Sequence, residues 1–116
     1  MIRVLYAAAE VVPFVKTGGL ADVAGSLPKA LKAQGIDIRV VMPKYGQIAA
    51  QYRDRMVHIY DGTLPVAWRS KYVGVDSLKL DGITYYFIDN EEYFRREGFY
   101  GYDDDAERFS FFCRAV

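Results

Sequence analysis

A chain of 116 residues is long enough for one domain with its own core, and its 15 Lys+Arg against 15 Asp+Glu leave no formal net charge. That balance argues against a general electrostatic footprint for nucleic acid or an anionic membrane surface, so neither is expected as a partner. With 52% hydrophobic and 26% charged residues the composition excludes intrinsic disorder and fibrous repeats, and no apolar stretch approaches the roughly 20 residues of a spanning helix.

Arg3 is followed by a strand-like run that meets Glu10, not by the apolar stretch and small-residue cleavage site of a secretory signal, so a cytoplasmic location is expected. The run Ile2 to Ala8 is short and nearly continuous in apolarity, which predicts a strand buried on both faces of a parallel sheet. Pro13 breaks the pattern between Ala9 and Thr17, and that segment reads as a loop leaving the carboxyl end of the strand. After Gly18-Gly19, the residues Leu20, Val23, Ala24, Leu27, Ala30 and Leu31 recur at spacings of three and four, which predicts an amphipathic helix closed by Gly35. Pro28 either kinks that helix or begins a second one capped by Ser26. Ile36 to Met42 returns to strand character and stops at Pro43, completing a strand, helix, strand unit with a right-handed parallel crossover.

The middle of the chain changes style. Arg55 to Tyr60, Leu64 to Trp68, Tyr72 to Leu80 and Ile83 to Ile88 are short β-leaning runs, separated by the hairpin dipeptides Asp61-Gly62 and Asp81-Gly82. The expectation is antiparallel decoration of a Rossmann-like parallel sheet. Most of the aromatic residues lie between Tyr85 and Phe112, and Ala106 to Val116 reads as a helix still running at the last residue, so residues 1–116 are expected to be an incomplete domain. The single cysteine, Cys113, can form no internal disulfide and has no neighbouring ligands, and it is expected to pack in the core beside Phe111 and Phe112.

The segment Lys16-Thr17-Gly18-Gly19-Leu20-Ala21-Asp22-Val23, between a buried strand and a helix, carries the chemistry. Glycines let backbone approach a ligand, the first helical turn offers unpaired N–H groups and a partial positive charge, and Lys16 adds a full one; together they can hold a phosphate without metal. A plain tight turn with a solvated Lys16 explains the same residues. The segment is neither the three-glycine dinucleotide fingerprint nor a P-loop, which disfavours an oxidoreductase. Asp22 can accept a hydrogen bond from a sugar or simply favour the helix dipole. Glu10 is a candidate for the cleft wall at the sheet's carboxyl end, or a helix cap or surface ion pair.

This segment, with Gly25 and Leu27-Pro28, resembles the amino-terminal signature of bacterial glycogen synthases and plant starch synthases. Further matches are Val40-Val41-Met42-Pro43-Lys44-Tyr45, Tyr86-Phe87-Ile88-Asp89-Asn90, Tyr93-Phe94, Gly98-Phe99-Tyr100-Gly101 and Glu107-Arg108-Phe109. The resemblance implies an α/β chain that forms the amino-terminal half of a GT-B fold, two Rossmann-like domains facing across a cleft. It implies transfer of glucose from ADP-glucose to the non-reducing end of an α-1,4-glucan, with retention at the anomeric carbon and no metal or other cofactor. Lys16, Gly18 and Gly19 are then donor contacts and Asp22 a further one; no catalytic group is assigned. The carboxyl-terminal domain of the same protein is the missing partner, and without it the chain is expected to be inert. A noncatalytic glucan- or nucleotide-binding module is the alternative.

The other polar and aromatic candidates are more local. Asp103-Asp104-Asp105 can be read as a metal-binding run, or as a solvated cap favoured by the helix dipole, and relatives in the family usually carry asparagine where Asp105 stands. Tyr93 and Tyr100 are candidates for stacking on glucan, with core packing as the rival. His58, the only histidine, has no serine or cysteine arranged around it and is read as structural.

Overall fold

A computed structural model describes residues 2–116. Strand β1 (Arg3–Ala7) leads by a loop to helix α1 (Gly19–Ala33) and back to β2 (Asp37–Pro43), which runs parallel to β1 with Arg3 opposite Asp37 and Ala7 opposite Val41. A short helix α2 (Ala50–Arg53) precedes a long hairpin, β3 (Val57–Val66) and β4 (Arg69–Leu80), and then β5 (Ile83–Asp89), α3 (Glu91–Phe94) and α4 (Asp105–Ala115). β5 lies parallel to β2 and antiparallel to β4, giving one sheet of order β1-β2-β5-β4-β3. The antiparallel strands therefore continue the parallel sheet instead of standing apart from it. Among the described residues no helix is long and apolar enough to cross a membrane.

The core follows the alternation of the central strands on one face, and towards their carboxyl ends Val41 and Ile88 are buried on the other face as well. Ile38, Val40 and Met42 of β2 and Ile83, Tyr85 and Phe87 of β5 are buried. Phe14, from the loop after β1, meets Tyr85, Phe87 and Tyr52 edge-on at centroid distances of 4.9, 5.0 and 5.1 Å, the geometry that aromatic quadrupoles favour. Helix α1 presses closely on the same loop: Val12 N–H donates to the Ala21 carbonyl at 3.1 Å, and a Cβ on Gly25 would stand 2.8 Å from the Val12 oxygen. Glycine at 25 is thus required by close approach.

Several expectations are corrected. Among the described residues β1 lies at the edge of the sheet and is not covered on both faces: Leu5 is 51% exposed, and only Val4 and Tyr6 are partly covered. An apolar run reports what a strand is able to bury, whereas its place in the strand order decides what covers it. Asp61-Gly62 is no turn but mid-strand, paired with Gly74 and Val73, and the hairpin closes at residues 67 and 68, with Ala67 at φ +54°. Gly62 has a different use. The Tyr60 ring lies over it, as the Tyr72 ring lies over Gly74, so that an added Cβ would come within 2.5 Å of each hydroxyl; residues two apart on a strand share a face. Asp81-Gly82 is the expected turn, with φ of +52° and +78°. Helix α1 runs unbroken through the buried Pro28, so Ser26 starts no second helix. Cys113 is exposed, because Arg108, Phe111 and Phe112 form the buried stripe of α4 at helical spacing and position 113 falls outside it.

Candidate functional site

The parallel strands β1, β2 and β5 end on one edge of the sheet, the edge where ligands of open α/β sheets gather. The loop after β1 carries Glu10 and Lys16 to that edge. Glu10 is 3% exposed, and its carboxylate accepts the N–H groups of Thr17 at 3.2 Å and Gly18 at 3.1 Å, the Thr17 hydroxyl, and the Tyr100 hydroxyl at 2.7 Å. Burial pushes this carboxyl up, but the hydrogen bonds from Thr17, Tyr100 and Gly18 outweigh it and hold Glu10 below the usual carboxylate value. Burial, and then the same contact, push the Tyr100 phenol up.

Gly18 immediately precedes α1 in an extended conformation, and no side chain caps the helix. The first-turn N–H groups, which have no acceptor inside a helix, are therefore left without a side-chain cap among the described residues. A Cβ built on Gly18 or on Gly19 meets nothing within 4 Å, and neither residue has a positive φ. Neither strain nor crowding within the described residues demands glycine at these two positions. Lys16 Nζ pairs with Asp22 Oδ2 at 2.9 Å, with both side chains more than half exposed, so the structure brings Lys16, Gly18, Gly19 and Asp22 together at the start of α1.

The two aromatic candidates separate. Tyr100 is 43% exposed and joins this site through Glu10. Tyr93 is fully buried, packs on Phe111 at 5.1 Å and donates its hydroxyl to Glu107. No face of it is left for a sugar ring, and the core role is the one its surroundings carry. Asp104 and Asp105 stay partly exposed at the start of α4, where the helix dipole favours them, and each also binds neighbouring groups. Asp104 grips Arg96 through both oxygens at 2.6 and 2.7 Å, and Asp105 accepts from Gly101 N–H, Tyr102 N–H and the Arg108 guanidinium. Thr17 and the full set of Glu10 contacts went unread in the sequence, since a carboxylate bonding seven, eight and 90 positions along the chain leaves no periodic signal.

A second polar network lies on the β3–β4 hairpin. His58 Nδ1 meets Asp76 at 2.7 Å, its Nε2 meets Asp61 at 2.7 Å, and Asp76 also accepts from the largely buried Lys44 at 2.6 Å. The bond to Asp76 and then that to Asp61 raise the imidazole above its ordinary 6.5. A group whose folded pKa is raised stabilises the fold fully below its unfolded value, and that contribution is lost as pH rises through the folded value. The melting temperature is therefore expected to fall as pH rises above about 6.5 and through the raised folded value, and this component should vanish in His58→Asn. Thermal unfolding across that window checks both; the same slope in the variant would contradict the assignment.

Residues 3–116 match the family model for the starch synthase catalytic domain. The chain belongs to that family. It is 58% identical over 115 residues to a glycogen synthase of Desulforamulus reducens and 54% identical to one of Geobacillus stearothermophilus, in each case over 99% of this chain and 24% of the relative. Among solved structures, the catalytic domain of starch synthase IV from Arabidopsis thaliana bound to ADP and acarbose superposes with a TM-score of 0.84 at 30% identity, covering 98% of this chain and 24% of that one. The chain thus spans about a quarter of the length of these starch and glycogen synthases. The resemblance read from Lys16 to Val23 and the later motifs is a family relation, and the mixed α/β sheet is part of the GT-B fold of these glycosyltransferases.

Proposed function

We propose that this starch synthase domain is the amino-terminal part of an enzyme that transfers glucose from ADP-glucose to the non-reducing end of an α-1,4-glucan with retention. One observation carries the reading: Gly18 and Gly19 leave open space at the uncapped start of α1, beside Lys16, where nothing among the described residues requires glycine. A diphosphate needs backbone approach and positive charge at one point, and this turn supplies both. As the bond from glucose C1 to the diphosphate oxygen breaks, negative charge grows on the departing ADP. The Lys16 ammonium and the positive end of α1 then stabilise the transition state more than the ground state. Asp22 holds the Lys16 ammonium at the mouth of the turn, and no metal or other cofactor is required. The second Rossmann-like domain, which closes the cleft over the donor, belongs to the remaining length that the relatives possess. The ADP bound to the Arabidopsis domain supports a nucleotide site in this fold.

Gly19→Ala tests the turn directly. Because its Cβ meets nothing in the fold, the variant should melt as the unsubstituted protein does while the KM for ADP-glucose rises by about 10-fold, the equivalent of about 1.4 kcal/mol. An unchanged KM in a folded variant would overturn the reading.

A further inference from the structure

A carboxylate buried in the loop after a β-strand destabilises a fold unless its lone pairs are satisfied. Glu10 forms no ion pair among the described residues, and its partners fall into two groups. The Thr17 N–H, the Gly18 N–H and the Thr17 hydroxyl belong to the two residues just ahead of α1, whereas the Tyr100 hydroxyl comes from 90 positions away. The first group fixes where α1 begins and therefore where its free N–H groups point. It also uses up the Thr17 and Gly18 amides, leaving Gly19 and the residues after it as the donors open to a phosphate. The second group ties in the aromatic segment after α3, which is itself held by Arg96 on Asp104 and by Asp105 on the Gly101 and Tyr102 amides.

The geometry points to Glu10 as a positioning residue of the donor site, which presets the Thr17–Gly18 turn and joins it, through Tyr100, to the segment between α3 and α4. This rests on the donor-site reading above. The role is mechanical, not acid–base: the carboxylate works as an acceptor of four hydrogen bonds, and a side-chain amide can reproduce them. Its oxygen would accept the two N–H groups and its NH₂ would donate to the two hydroxyls.

The test is the affinity for ADP, titrated calorimetrically into the polypeptide at its natural length, with melting temperatures measured alongside. Glu10→Gln should bind ADP within about 3-fold of the unsubstituted protein, and Glu10→Ala should bind it about 10-fold more weakly or worse. Tyr100→Phe should weaken ADP by about 3-fold, and combining it with Glu10→Ala should add nothing, because the hydroxyl acts through the carboxylate. ADP carries no glucan, so an effect of Tyr100→Phe on it does not come from lost stacking on glucan. ADP affinity unchanged in folded Glu10→Ala overturns the role of Glu10, as does Glu10→Gln binding as poorly as Glu10→Ala. Should Glu10→Ala fail to fold, unchanged affinity in Tyr100→Phe overturns it equally. An unsubstituted protein that binds no ADP overturns the donor-site reading and this one with it.

Discussion

Replacing Lys16 with alanine is expected to cut glucosyl transfer by about 100- to 1,000-fold, the loss seen when one preorganised charge-stabilising contact is removed, and to leave the melting temperature unchanged. The two halves of that result have separate causes. Lys16 is more than half exposed and its one ion pair is with the equally exposed Asp22 at 2.9 Å, and an exposed pair of this kind contributes about 0–1 kcal/mol. On the proposed donor-site reading the transition state loses much more, because the charge growing on the departing diphosphate would meet Lys16 where the α1 dipole already favours anions. Steady-state kinetics with thermal unfolding on the same preparation checks both. Normal turnover with a normal melting curve removes Lys16 from the mechanism.

Arg108→Met should act in the opposite way, on the fold. Arg108 has no exposed surface, and its guanidinium donates to the Tyr93 carbonyl at 2.6 Å, the Phe99 carbonyl at 3.0 Å and Asp105 at 2.8 Å. It lies 5.0 Å from the Tyr102 ring centroid and 5.2 Å from that of Phe109, so the cation is also held by aromatic faces. Methionine fills much of the volume but leaves those acceptors without their donor. Breaking a buried charged network from one side costs about 3–5 kcal/mol, which for a domain of this size lowers the melting temperature by more than about 10 °C. Unfolding monitored by far-UV circular dichroism reads this out, and a melting temperature within about 2 °C of the unsubstituted protein would contradict it.

The same residue shows where sequence reading reached its limit. Glu107-Arg108-Phe109 is legible as a motif, yet nothing local says that an arginine on a helix points inward, since its partners are carbonyls on other segments. β1, α1 and β2 were legible because periodicity is a local property, and Asp81-Gly82 because both residues tolerate the left-handed conformation that the turn needs. Asp61-Gly62 has the same dipeptide chemistry and misled, since a long ladder with β4 and the Tyr60 ring over Gly62 override a local turn preference. The exposure of β1 depends on strand order, which no stretch of a few residues encodes. The site divides along the same line. Lys16, Gly18, Gly19 and Asp22 are near neighbours in the chain and are legible together. Glu10 stays ambiguous in the sequence, because a defining contact is Tyr100, far off in the chain.

The measurement that tests the central claim most directly is the transfer itself, on the unsubstituted polypeptide at its natural length, given labelled ADP-glucose and glycogen with no metal added. The expected result is label entering the glucan in α-1,4 linkage, with one ADP released for each glucose added. ADP-glucose left intact by a folded protein, or hydrolysed without extension of the glucan, would contradict the assignment of the α1 turn to a glucosyl donor.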